Sequence, residues 1–119
     1  MNLLCVYLFL KSKQARIDET IRNIQSHNGV NGVIILDSQT KTIIRTTLKD
    51  TKEVQKYSTL ALHMTEATRT ELSEMESGNS NNALQMLRIK TKKNEVMIAP
   101  DDEFILVVIQ DPSGPSSSF

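Results

Sequence analysis

The side chains that most often carry chemistry are scattered along this 119-residue chain. His27 and His63 have no carboxylate or cysteine at the spacing of a metal-ligand set, so we interpret both as surface or capping residues. The serines form no G-x-S-x-G motif, and the four glycines form neither G-x-G-x-x-G nor a P-loop. The sequence therefore predicts no catalytic site, no metal and no cofactor.

The remaining reactive or acidic residues also favour structural roles. Cys5 lies in an apolar run, where a thiol is expected to be inert. The acidic groups at 71–76 and 101–103 are typical of a helix surface and a turn. A single cysteine excludes an internal disulfide and suits a reducing compartment such as the cytosol.

The strongest charge feature is the basic set Arg88, Lys90, Lys92 and Lys93. It lacks interleaved aromatic residues, and the chain as a whole balances fourteen basic against fourteen acidic side chains. Binding to nucleic acid or to an anionic membrane is therefore not expected. The lysines either protect an exposed strand edge or border a partner surface, and both interpretations can hold together.

The amino-terminal run LLCVYLFL, residues 3–10, is eight apolar residues long. A bilayer span needs about 20, and no basic residue precedes the run as in a secretory signal, so secretion is a minor alternative. We expect instead an extra strand or helical turn lying in a groove of the domain or of a partner.

Two helices are predicted from apolar spacing. Ile17, Ile21 and Ile24 lie on one face of the first, and Gly29 is its left-handed stop. The second begins at Asp50, with Glu53 in a capping position. Its predicted single face comprises Val54, Tyr57, Ala61, Met64, Thr68, Leu72 and Met75. A further set, Leu60, Leu62 and Ala67, lies off that face and indicates burial on another side.

Five strands are predicted, and two of them are apolar on both faces. Because such strands must be covered on both sides, VIIL at 33–36 and FILVVI at 104–109 are predicted to be central and adjacent. The strands at 41–48, 84–90 and 95–99 complete the set, and Asn94, which tolerates positive φ, suits the tight reversal between the last two of these. The predicted fold is α+β, a five-stranded antiparallel sheet of order 2-1-5-4-3 with a helix on each face, which leaves 84–90 at an edge.

Two stretches resemble a known family. LRIKTKKNEVMIAPDDEFILVVIQDP (87–112) is similar to the end of the roadblock-type light chains of cytoplasmic and axonemal dynein, and TIRNIQSHNGVNGVIIL (20–36) to their first helix and strand. The most specific part is KKNEVMIAPD at 92–101. The first hairpin, SQTKT, departs from the family because it lacks the usual glycine and proline. The resemblance implies a roadblock/longin domain over 17–112, with an extension at 1–16 and a mobile tail at 113–119.

This resemblance implies a homodimer in which the long helices are antiparallel and the third strands pair into a ten-stranded sheet. It implies a non-catalytic light-chain subunit that binds the dynein intermediate chain in microtubule-based transport, located in the cytoplasm with the cytoskeleton. The alternative is a roadblock-type scaffold or regulator of a small GTPase. The expected dimer contacts are Leu60, Met64, Ala67, Leu84, Met86, Leu87, Arg88 and Ile89. The expected partner contacts are Lys90, Lys92 and Lys93.

Overall fold

The computed structural model describes residues 15–75 and 83–112. Most of the predicted extension, the predicted loop at 77–82 and the predicted tail lie outside these residues. The elements are α1 (15–25), β1 (Val30–Asp37), β2 (Ile43–Thr46), α2 (Thr51–Met75), β3 (Leu87–Lys90), β4 (Glu95–Pro100) and β5 (Phe104–Gln110).

The five strands form one antiparallel sheet in the order β2-β1-β5-β4-β3, which confirms the predicted order. Val107 in β5 lies opposite Ile34 in β1 and opposite Ile98 in β4. The two central strands, β1 and β5, are therefore the two that are apolar on both faces. This arrangement removes the most apolar side chains of the sheet from water.

Each face of the sheet is covered by one helix. On one face, Ile17 and Ile21 of α1 pack with Val33 and Ile35. On the other, Val54 and Ala61 of α2 belong to a larger cluster with Ile34, Leu36, Ile98 and Val107. Alternate residues of β1 thus enter different clusters, as the period of two along a strand requires. Burial of each such side chain stabilises the fold by about 1.5–3 kcal/mol.

α1 ends at residue 25, four residues before Gly29, and α2 begins at Thr51, directly after the predicted capping residue Asp50. Gly29, which follows α1, has φ of 89°, a conformation that disfavours side chains with a Cβ. At the start of α2, the Asp50 carboxylate accepts a hydrogen bond of 2.9 Å from the Lys52 amide. This bond satisfies one of the amide groups that a helix start leaves without a partner.

The β1–β2 hairpin turns without glycine or proline. The Asp37 carboxylate accepts hydrogen bonds from the amides of Gln39 (2.8 Å) and Thr40 (3.0 Å). Lys41 takes the left-handed conformation, with φ of 63°. An aspartate-centred turn therefore replaces the glycine that the family uses here.

The β3–β4 reversal corrects the prediction for Asn94, whose φ is not positive. The Thr91 hydroxyl accepts hydrogen bonds from the amides of Lys93 (3.2 Å) and Asn94 (3.1 Å). The Thr91 amide in turn donates to the Asn94 carbonyl at 2.9 Å. A threonine-centred turn makes the reversal, so no left-handed residue is required.

The buried face of α2 also differs from the prediction. Its buried residues are Val54, Ser58, Ala61 and Thr65, whereas Met64 and Met75 are 38% and 74% exposed. Small side chains at the centre of the contact let the helix lie close to the sheet. The hydroxyls of Ser58 and Thr65 are buried there without a hydrogen-bond partner in the described part of the chain. The prediction was correct for Val54 and Ala61 and wrong for Met64 and Met75, because smaller side chains fill the rest of the contact.

Candidate partner-binding surface

The candidate surface begins at β3, which pairs with β4 and forms one edge of the described sheet. Leu87, Arg88, Ile89 and Lys90 lie opposite consecutive residues of β4, with no shift in register. A regular edge strand presents a row of backbone amides and carbonyls on its outer side. Such an edge can accept another strand.

β3 is shorter than the predicted strand at 84–90, because residues 83–86 have no regular secondary structure. Continuing the observed register would place Gln85 opposite Pro100, which has no amide proton to donate to the ladder. In this lead-in segment Leu84 is half-buried and Met86 is 50% exposed. Two of the predicted contact residues thus precede the strand.

The two faces of β3 differ as the sequence alternation predicts. Leu87 and Ile89 are half-buried and pack against the α2-side cluster. Arg88 and Lys90 are exposed and project from the opposite face. One face of β3 therefore packs against the core, and the other face carries its charged side chains.

The charged side centres on Glu95, the first residue of β4, which is completely buried. Arg88 Nη2 donates a hydrogen bond of 2.9 Å to Glu95 Oε2, and the Gln110 side-chain amide donates to the same oxygen. Lys90 Nζ lies 3.8 Å from Glu95 Oε1. A buried carboxylate requires such donors, because removing one partner leaves the carboxylate charge less compensated in a poorly solvated site.

Glu95 is not among the site residues that the sequence predicts. The sequence does contain a signal for it, because Glu95 is a lone acidic residue at the start of an apolar strand, directly after a basic stretch. In the structure Lys90 is its cross-strand partner. The network joins β3, β4 and β5, so it fixes the position of the edge strand relative to the centre of the sheet.

The second part of the surface is one side of α2. The Asn94 side chain donates a hydrogen bond to Tyr57 Oη, which places the Tyr57 side of the helix next to the β3–β4 hairpin. Met64 lies two turns further along on that same side. Leu60, Met64 and Ala67 form a stripe in which Leu60 is half-buried and the other two are exposed. This stripe, Met86 and β3 together are called the β3–α2 surface.

The lysines predicted to contact a partner flank this surface. Lys90 approaches Glu95, whereas Lys92 and Lys93 are exposed in the hairpin. Across the sheet, the opposite edge is β2, far from all three lysines in strand order. These three lysines therefore lie in or beside the β3 edge, while Lys41 and Arg45 lie at the β2 edge.

Both histidines lie at the surface of the described chain. His27 is exposed, with Nδ1 3.0 Å from the Asn23 carbonyl oxygen, and His63 is exposed on α2, as predicted. Over residues 15–75 and 83–112, no three histidine, cysteine or acidic side chains cluster closely enough to hold a metal. Nor does any helix in those ranges have the length and apolar character needed to cross a bilayer.

Comparison with known families identifies the domain. A family model described as "Roadblock/LC7 domain" matches residues 16–110, most of the chain. The chain belongs to the Roadblock/LC7 family. This result confirms the roadblock-type family that the sequence resembles. Roadblock/LC7 domains are generally non-catalytic adaptors.

The Roadblock/LC7 fold is also found by structural comparison. The chain is similar to the crystal structure of a Roadblock/LC7 domain from Streptomyces avermitilis, with a TM-score of 0.59 and 9% sequence identity. The match covers 75% of this chain and 72% of the other. At that identity the likeness establishes the fold alone.

Proposed function

We propose that this Roadblock/LC7 protein is a non-catalytic light-chain subunit of a dynein motor complex. It acts as a homodimer that binds the dynein intermediate chain in microtubule-based transport, in the cytoplasm and associated with the cytoskeleton. The observation that carries the proposal is the regular edge strand β3 beside the exposed apolar stripe of α2. Among the functions of this family, the dynein role is favoured by the resemblance of residues 92–101 to dynein light chains.

The β3–α2 surface supports self-association by strand pairing. Two copies related by a two-fold axis can pair their β3 strands antiparallel, which joins two five-stranded sheets into one of ten strands. The same operation brings the two α2 stripes together. Met64 and Met86, 38% and 50% exposed in the single chain, would then be covered.

Partner binding calls for a rigid surface and no reactive group. The Arg88–Glu95–Gln110 network and the Tyr57–Asn94 bond hold β3 and its hairpin in place. Lys92 and Lys93 add positive charge at the rim, where charge mainly speeds association. These features fit a clamp for an extended or helical segment of another protein.

Dimer formation is tested by Met64→Asp, with His63→Asp as the matched control. Both residues are exposed on α2, but only Met64 belongs to the apolar stripe. We expect Met64→Asp to weaken the dimer at least about tenfold in sedimentation analysis, because a charge would be buried at the seam, and His63→Asp to leave it unchanged. Equal behaviour of the two variants would contradict the proposed interface.

Intermediate-chain binding is tested by calorimetry with the light-chain-binding segment of a dynein intermediate chain. We expect saturable binding at micromolar protein, and weaker binding by Met64→Asp than by His63→Asp, because the clamp needs both copies. No heat and no capture of the segment by wild-type dimer would reject the dynein role.

The second candidate is a scaffold or regulator of a small GTPase. The observation that favours it is the occurrence of the same fold in a bacterial protein, which shows that the architecture alone does not specify a dynein partner. Nucleotide exchange and hydrolysis by small GTPases would be measured with and without the protein. A change in either rate, together with no binding of the intermediate-chain segment, would favour this candidate.

A further inference from the structure

A groove of about 370 Å³ lies on the α1 side of the sheet, away from the β3–α2 surface. Its walls are mainly apolar and include Ile17 of α1 with Ala99, Phe104 and Leu106 of the sheet. Charge is confined to its rim, where Arg16 Nη2 lies 3.7 Å from Glu103 Oε2. Apolar walls with a few polar rim groups are typical of a pocket that binds an apolar segment.

The described chain begins beside this groove. Ala15 immediately precedes Arg16 and Ile17, both of which line the groove. The uncharged apolar run at residues 3–10 is joined to this point by residues 11–14. Five residue steps from Leu10 to Ala15 reach at most about 17 Å, so the run is held close to the groove.

We propose that residues 3–10 dock in this groove of their own chain. The fit rests on composition, since eight consecutive apolar residues would meet mainly apolar walls. A short tether gives the run an effective concentration on the order of a millimolar at the groove, which favours it over a free peptide at lower concentration. Docking at this groove leaves the β3–α2 surface available for partners, because the two lie on different sides of the sheet.

Charge at the rim is compatible with this path. Lys11 and Lys13 follow the apolar run, and the groove is lined by two acidic residues, Asp101 and Glu103, and one basic residue, Arg16. Opposite charges near the tether favour the docked arrangement over an extended one, to a degree that salt reduces.

The test uses Cys5, the single cysteine of the chain, as a probe in the full-length protein. Its rate of reaction with a small disulfide reagent is compared in the folded and urea-unfolded chain. Docking predicts a rate at least about tenfold slower in the folded chain, because the thiol reacts only after the segment opens. A folded-chain rate equal to the unfolded rate would overturn the proposal.

A matched pair of variants distinguishes protection of Cys5 by the groove from protection of Cys5 by another part of the protein. Thr20 and Glu19 are neighbouring exposed residues of α1, but only Thr20 lines the groove. Thr20→Trp is expected to fill the groove and restore Cys5 reactivity, while Glu19→Trp keeps Cys5 protected. Equal rates for the two variants would show that Cys5 is protected elsewhere and would overturn the proposal.

A cross-linking experiment decides which chain supplies the segment. A photoreactive probe is attached to Cys5 in a mixture of normal and isotope-labelled protein. The proposal predicts products joining Cys5 to peptides covering 99–106 of the same chain. Products joining labelled to normal chains would show exchange between copies and would overturn the same-chain assignment. Failure of intermediate-chain binding would leave both readouts unchanged, so the two proposals fail separately.

Discussion

The two edge strands of the sheet, β2 and β3, differ in how regularly they pair with their neighbouring strands. At β2, pairing with β1 shifts register between Ile35 and Leu36, and the irregularity disturbs the ladder. At β3, pairing with β4 continues without a shift from Leu87 to Lys90. A bulged edge is a poor template for another strand, whereas a regular edge is a good one.

Side chains reinforce the difference at β2. The Thr46 hydroxyl donates to the Val33 carbonyl at 3.0 Å, and the Thr47 hydroxyl accepts from the Val33 amide at 2.9 Å. Arg45 pairs with Asp18 of α1, which ties the strand to the helix. The β2 edge is thus secured within its own chain, which leaves β3 as the edge for which we propose a partner.

A close contact continues this pattern past the end of β2. Leu48 lies over Gly32, where an added Cβ would approach Leu48 Cδ2 to 2.4 Å. Only glycine leaves room for Leu48 in its present position. The chain leaving β2 is therefore packed back onto β1.

The largest expected difference between the edges, in unfolding free energy and in dimer formation, comes from placing a charge on each edge strand in turn. Leu87→Asp puts a carboxylate where Leu87 packs against the core and at the proposed seam, so we expect a loss of about 3 kcal/mol or more in unfolding free energy and loss of the dimer. Ile43→Asp, on β2 at a residue already 38% exposed, should cost about 1 kcal/mol or less and leave the dimer intact. Urea unfolding and light scattering measure both. A stable Leu87→Asp dimer would remove β3 from the interface.

The next effect compares one arginine from each edge. Arg88→Ala removes the 2.9 Å donor to fully buried Glu95, and we expect a loss of about 2 kcal/mol. Arg45→Ala breaks a pair whose side chains are 37% and 43% exposed, and its cost should be about 0.5 kcal/mol. Adding Glu95→Gln to Arg88→Ala should recover part of the loss, because the carboxylate charge is gone. Equal costs for the two arginines would show that the Glu95 network does not hold β3 in place.

A smaller effect is expected where α2 meets the β3–β4 hairpin. Tyr57→Phe removes the hydroxyl that accepts the Asn94 amide proton, at a cost of about 1 kcal/mol. Asn94→Ala should cost a similar amount, and the double variant less than the sum of the two. Thermal unfolding of all three variants measures the coupling. Strictly additive losses would mean that the bond does not position the hairpin.

The smallest expected effect on stability concerns lysines beside each edge. Replacing Lys92 and Lys93 with alanine should change unfolding free energy by less than about 0.5 kcal/mol, since both are exposed. Intermediate-chain affinity should fall severalfold at low salt and less at high salt, because the charges act at long range. Lys49→Ala, exposed after β2, is the control and should leave affinity unchanged. Equal losses from both sites would point to net charge and not to the β3 side.

The proposed site was only partly predictable from sequence. The alternation of Leu87 and Ile89 with Arg88 and Lys90 follows directly from strand geometry, and the structure confirms it. The burial of Glu95 was not predicted, because the burial of a carboxylate depends on which hydrogen-bond donors the neighbouring strands place next to it. Gln110, one of those donors, is fifteen residues away in the chain.

The inner face of α2 was likewise only partly predictable. Apolar spacing favoured Met64 and Met75, which are exposed, whereas Ser58 and Thr65 are buried. Helical periodicity marks several overlapping faces, and the choice among them depends on how closely helix and sheet approach. Small hydroxyl residues permit that approach, and a hydropathy pattern does not rank them as core.

The sequence by itself determined the strand order, because runs such as FILVVI at 104–109 must be covered on both faces and so belong in the middle of a sheet. It also determined the first helix and its glycine stop through local spacing and backbone conformation. Only the tertiary structure decided which face of α2 is buried, where β3 begins and how Glu95 is satisfied. Those outcomes depend on register and on distances between elements far apart in the chain, which local residue patterns do not encode.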